Sequence, residues 1–146
     1  MKLDITRVQV WAAGMNDKPG ELAAKLSSLS QAGVNLDFVI ARRSPEKKGT
    51  GVVFVTGISG AKELRAARKA GFRQTKSLHS LRVVATDKPG LGTTITQTVA
   101  ETGISLRGFS GAALGRKAVL NLAFDSAADA AKAQRYLKSV DLFSTK

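Results

Sequence analysis

The residues best placed to do chemistry are two copies of one turn, Asp17-Lys18-Pro19-Gly20 and Asp87-Lys88-Pro89-Gly90, 70 positions apart. Each copy follows an apolar run and precedes leucines or other apolar residues at helical spacing, so the turn stands where a strand hands over to a helix. Proline is tolerated in a helix's first turn and hardly elsewhere. The first N–H groups of that helix have no intrahelical partner, and they gather beside the aspartate. Those N–H groups and the helix dipole favour a carboxylate, whereas the aspartate and nearby carbonyls favour an ammonium group. Gly20 and Gly90 allow close approach to the main chain. The chemistry implied is the binding of a small zwitterion. Charged hydrogen bonds contribute about 1.5–3 kcal/mol each. Three or four of them, less the ordering cost, give a dissociation constant on the order of micromolar to millimolar, a range that suits a metabolite sensor.

Little else in the chain offers chemistry. Cysteine is absent, which excludes disulfides, thiol catalysis and Cys-based zinc sites, and the lone His79 cannot by itself assemble a metal site or a Ser-His-Asp triad. The sequence identifies no acid–base partners for catalysis by Asp37, Glu63 or His79, so no enzyme, no metal and no cofactor are expected. No run approaches the roughly 18 apolar residues of a membrane helix, and Met1-Lys2-Leu3-Asp4 is not followed by a signal-peptide core. A cytoplasmic, non-membrane protein is therefore expected.

The elements that must position the turns also repeat. At the same offset Gly33 matches Gly103, Val34 matches Ile104, Asn35 matches Ser105 and Leu36 matches Leu106. The 146 residues thus divide into modules 1–77 and 78–146, each near the lower limit for burying a core alone. In the first, Val8, Val10 and Trp11 to Ala13 read as one strand, Leu22, Leu26 and Leu29 as a helix, and Leu36 to Ile40 as a second strand. Ser44-Pro45 to Gly49 supply the hairpin before Val52 to Val55. A second helix carries Ala61, Leu64 and Ala67 inward and ends at Gly71, and residues 72–78 supply a fourth strand. The second module repeats this with strands at 81–86, 104–109 and 118–124, helices from Leu91 and over 127–138, and a last strand near Val140 to Phe143. Ser126 with Asp129 forms the cap of that last helix, with Ala130, Ala133 and Leu137 facing inward. The fold class predicted is α+β: two ferredoxin-like β-α-β-β-α-β modules, each an antiparallel four-stranded sheet with two helices on one face.

A turn of this type, a helix and then Gly-Val-Asn-Leu-Asp-Phe-Val-Ile over 33–40 resemble the ACT domain, and the pair resembles the tandem regulatory region of aspartate kinases without the kinase domain. The resemblance covers nearly the whole chain, most strongly 8–56 and 80–124. It implies a non-catalytic regulatory protein that binds a small amino acid where modules meet, between the strand-to-helix loop of one and the second-strand start of a neighbour. Carried over, the ligand residues are Asp17, Gly20, Leu22, Asn35 and Leu36 in the first module, and Asp87, Gly90, Gly92, Ser105 and Leu106 in the second. Asp87 with Asn35 and Leu36 is favoured over the reciprocal pairing, because Ser105 replaces an amide and Arg107 replaces Asp37. The resemblance also includes modules that bind nothing and serve only to dimerise.

The charge balance, 23 Lys and Arg against 11 Asp and Glu, raises a second reading, an RNA-binding protein of the same β-α-β-β-α-β topology. Its stacking aromatics are missing: the third strands offer only Phe54 or Phe124, so nucleic acid is not the expected partner. The basic residues gather at Arg42, Arg43, Lys47 and Lys48, a hairpin tip, and at Lys62, Arg65, Arg68, Lys69, Arg73 and Lys76, which read as solvated faces. Trp11 and Tyr136 read as packing residues. Open sheet edges favour a homodimer, and a regulatory module implies a partner enzyme or regulator.

Overall fold

The computed structural model of the chain describes residues 2–143. In chain order the elements are β1 (Asp4–Val8), β2 (Trp11–Asn16), α1 (Glu21–Ser30), β3 (Phe38–Arg43), β4 (Thr50–Thr56), α2 (Ala61–Lys69) and β5 (Arg73–Gln74). There follow β6 (His79–Thr86), α3 (Leu91–Ala100), β7 (Gly108–Leu114), β8 (Lys117–Phe124) and α4 (Ala127–Ser139). The strands form two four-stranded sheets with orders β3-β4-β2-β5 and β1-β6-β8-β7, antiparallel throughout. The predicted α+β architecture of two ferredoxin-like modules is therefore present, with β1 as the fourth strand of the second sheet.

The chain separates into two compact units, Gln9–Thr75 and Met1–Val8 with Lys76–Lys146. In the first unit, alternate residues of β2 and β4, namely Trp11, Ala13, Val53 and Val55, are buried with Leu29 of α1 and Ala67 of α2. In the other, Leu81, Val83 and Ala85 of β6 and Leu120, Leu122 and Phe124 of β8 are buried with Ile95 and Val99 of α3 and Ala133 and Leu137 of α4. Each buried Val, Leu, Ile or Phe among them contributes about 1.5–3 kcal/mol. The cap predicted for α4 is formed: Asp129 N–H donates to Ser126 Oγ at 3.0 Å.

Two expectations are corrected at the sheet edges. Val8 and Trp11 do not share a strand: β1 ends at Val8 and pairs with β6 from Asp4↔Val84 to Val8↔Ser80, while β2 starts at Trp11 and pairs with β4. The reason is core composition, since Ile5 enters the core of β6 and β8 while Trp11 enters that of β2 and β4. The strand expected near Val140 to Phe143 does not form; residues 140–143 are bends and turns after α4. The edge of β6 it would have used is already occupied by β1. Leu142 is nevertheless buried and Phe143 packs on the same core. Among the described residues no helix is long and apolar enough to cross a membrane.

Candidate functional site

The two Asp-Lys-Pro-Gly turns have the same backbone. Gly20 adopts φ 86, ψ −9 and Gly90 φ 86, ψ 0, both left-handed positions that an L side chain rarely takes. Asp17 N–H donates to the Gly49 carbonyl at 2.9 Å and Asp87 N–H to that of Arg116 at 2.8 Å, which tie each turn to its hairpin tip. Neither α1 nor α3 has a side-chain cap; Glu21 N–H and Leu91 N–H donate to the Lys18 and Lys88 carbonyls at 3.3 and 3.2 Å, which leaves the N–H groups of the next two residues of each helix for solvent or a ligand. This is the arrangement predicted from the residue types.

The side chains around the turns differ. Asp17 accepts a hydrogen bond from Arg43 Nε at 2.8 Å, an exposed pair on which Arg43 retains 86% and Asp17 38% of its side-chain accessibility. Asp87 has no ion pair among the described residues, and the offset that relates Asp17 to Asp87 puts Ala113 in place of Arg43. Lys18 pairs with Glu21 at 3.4 Å, whereas the Lys88 ammonium lies 3.7 Å from the ring centroid of Phe143. Arg43 was read from the sequence as part of a solvated hairpin tip. Charge spacing alone gives no sign that its β3 position puts it across from Asp17.

Beside the first turn lies a cavity of about 200 Å³ lined by Asp17, Lys18, Glu21, Arg42 and Arg43, with Met15, Leu22 and Ala41 as its apolar part. Asp17 and Leu22 are thus brought together, and Gly20 lies on the turn between them. Asn35 and Leu36 are elsewhere. They precede Phe38, which pairs with Thr56, whereas the turn follows Asn16, which pairs with Thr50. Six residues of β4 at about 3.3 Å each separate the two levels, or about 20 Å. One module cannot gather both sets of residues.

Asn35 is exposed and Leu36 packs on the core. Their segment is held by Gly57 at φ 105: a Cβ there would stand 2.8 Å from Asp37 N and 3.2 Å from the Asn35 carbonyl oxygen. In the second module Ser105 is exposed and Leu106 packs on the core. Arg107 donates to Asp125 at 3.0 Å. Gly92 is in the first turn of α3, where a Cβ would meet the Phe109 ring at 3.7 Å. Among the described residues no cluster of His, Cys, Asp or Glu could hold a metal ion. His79 opens β6 with Nε2 3.2 Å from the Lys76 carbonyl oxygen. The Tyr136 hydroxyl donates to Glu101 Oε2 at 2.5 Å, which raises its pKa above the ordinary tyrosine value.

No protein-family model matches the chain, and no curated protein does. Solved structures do match. The regulatory subunit of aspartate kinase from Thermus thermophilus, in its ligand-free form, is 19% identical over 98% of this chain and 96% of its own, with a TM-score of 0.63. Protein BT0572 from Bacteroides thetaiotaomicron is 13% identical over 95% and 93%, with a TM-score of 0.76. Aspartokinase III of E. coli, solved with aspartate and ADP, matches 94% of this chain with 32% of its own length, at 14% identity and a TM-score of 0.61. The chain has the fold of aspartate kinase regulatory regions.

Proposed function

We propose that this chain is a non-catalytic regulatory protein that senses a small amino acid through its two Asp-Lys-Pro-Gly turns and acts by changing its contacts with a partner enzyme or regulator. The observation that carries the reading is the identity of the two turn backbones. Gly20 and Gly90 share φ 86, and both aspartate N–H groups are tied to a hairpin carbonyl, although the helices that follow have drifted to Leu22 against Gly92 and Lys25 against Ile95. A turn needed only to start a helix would tolerate other caps, as α4 shows with Ser126. The fold shared with aspartate kinase regulatory subunits supports the same reading.

At the second turn the ligand's ammonium group is received by Asp87, which has no ion pair to break among the described residues. Its carboxylate meets the first-turn N–H groups of α3. The remaining ligand groups are supplied by the second-strand start of a neighbouring module, Asn35 and Leu36 at the one sequence copy and Ser105 and Leu106 at the other, so the working form is a homodimer. A second reading is favoured by the cavity beside the first turn: there a zwitterion inserts between Asp17 and Arg43 and exchanges one exposed ion pair for two.

Thermal unfolding in the presence of each of the twenty amino acids at millimolar concentration tests this. A ligand at about one hundred times its dissociation constant stabilises by about 2.7 kcal/mol, a rise of several degrees for a unit of this size. Loss of the shift in Asp87→Ala, with retention in Asp17→Ala, supports the second turn; the opposite result supports the first. No shift with any amino acid leaves a dimerisation module and defeats the proposal.

A further inference from the structure

Helix α2 carries Lys62, Arg65, Arg68 and Lys69, all exposed, against a single acid, Glu63. Glu63 Oε1 accepts the Ser59 N–H at 3.1 Å. Among the described residues none of the four cations has a carboxylate within 4.0 Å, whereas Lys18, Arg43 and Arg107 each do. Arg65 and Lys69 are one turn apart, and Lys62 with Arg65 and Arg65 with Arg68 are three residues apart, so like charges face each other along the stripe and repel. A face that serves only solubility intersperses the two signs and avoids this repulsion. Two more cations close the end of the helix: Lys25 Nζ donates to the Ala70 carbonyl at 2.7 Å, and Arg73 donates to those of Phe72 and Arg68 at 2.9 and 3.1 Å.

We infer that this face of α2 binds the phosphate backbone of duplex DNA. A row of unpaired cations releases counterions from phosphates on contact, whatever the base sequence. An acidic protein fits less well. Protein interfaces are centred on apolar and aromatic anchors and are depleted of charge at their core. Here the large exposed apolar residues are Val39, Ile40, Phe109 and Leu114, all on β3 and β7 and none on α2. A single strand fits less well too, since it is held by stacking on aromatic side chains. The Arg68 guanidinium lies 5.8 Å from the ring centroid of Trp11, which is only 2% exposed. Duplex DNA turns its bases inward and presents phosphates, which is what the stripe can read.

The test is fluorescence anisotropy of a labelled duplex of about 25 base pairs, titrated with the full chain at low and at near-physiological salt. Binding is expected at low salt, with the logarithm of the association constant falling against the logarithm of salt with a slope of about −3 to −4 for three or four phosphate contacts. The triple variant Lys62→Gln, Arg65→Gln, Lys69→Gln should flatten that slope by about 3 and weaken binding at least tenfold at low salt. Relief of the repulsion leaves its thermal midpoint equal to or above that of the parent, so lost binding is not lost folding. Lys132→Gln, Arg135→Gln, Lys138→Gln on α4 removes the same charge and should leave the slope within one unit of the parent. Equal losses in both triple variants would reduce the effect to net charge and overturn the inference. It also falls if no binding occurs, if polyglutamate displaces the duplex at equal charge concentration, or if single-stranded RNA binds more tightly than the duplex.

Discussion

Gly20 and Gly90 have the same φ, and the aspartate N–H bonds beside them differ by 0.1 Å, yet one aspartate is paired with an arginine and the other faces alanine. The constraints on the two properties are of different size. A left-handed backbone position excludes nearly every side chain, so glycine persists there. An exposed ion pair contributes about 0–1 kcal/mol and can be lost or acquired with little effect on folding. Duplication has therefore left the geometry of the two turns intact while their charge diverged, and any functional difference between the modules is expected to be electrostatic. The sheet edges differ in a second way: β6 is covered along five residues by β1, whereas β2 is covered by only the two residues of β5.

The largest effect expected from that contrast is at Ile5, which is 5% exposed and belongs to the core of β6 and β8. Ile5→Ala should cost about 2–5 kcal/mol and lower the unfolding midpoint by roughly ten degrees or more. Gln74→Ala, on exposed β5, should change stability by no more than about 0.5 kcal/mol. Calorimetry of the two variants decides the matter: equal costs would mean that the two edge strands are not the unequal partners their pairing suggests.

The turns, the four helices and the two central hairpins were legible in the sequence because each depends on neighbours within about ten residues: proline at a helix start, glycine at its end, alternation in residues 118–124. The partner of Asp4–Val8 was not legible. Its pairing with Ser80–Val84 spans more than 70 positions, and one buried residue, Ile5, gives no periodicity to read. The repeat of the first module places a fourth strand near Val140 to Phe143, whereas β1 takes that edge of β6. At the site, the repeat shows the duplicated aspartate and glycine, but the Arg43–Asp17 pair depends on the register of β3 against β4, which composition does not reveal.

A smaller effect is expected at Gly57, which marks another difference between the modules. Asp37 N–H donates to the Thr56 carbonyl and Arg107 N–H to that of Ala123, so the next residues, Gly57 and Phe124, hold equivalent places. The second module fills that place with a fully buried ring, and the first leaves it open for the backbone of Asn35 to Asp37. Gly57→Ala should cost about 1–3 kcal/mol from its φ of 105 and the contact with Asp37 N. Chemical denaturation measures that cost, and amide exchange at 35–37 shows where it falls. A cost under about 0.5 kcal/mol would mean that this segment yields readily and does not hold Asn35 and Leu36 in place.

The smallest effect separates the two turns most directly. Arg43 is exposed, so Arg43→Ala should change stability by no more than about 1 kcal/mol. Its influence on amino-acid affinity depends on where the ligand sits. A ligand at the second turn never meets Arg43, and its affinity is unchanged. A ligand whose ammonium group must displace Arg43 from Asp17 binds up to about fivefold tighter without it, the equivalent of about 1 kcal/mol. A ligand that gives its carboxylate to Arg43 loses a charged hydrogen bond of about 1.5–3 kcal/mol and binds at least tenfold more weakly. The reciprocal change, Ala113→Arg, gives Asp87 the partner that Asp17 has. If the second turn is the sensor, isothermal titration should show a loss of up to about fivefold; an unchanged constant there, with a changed one in Arg43→Ala, places the ligand at the first turn.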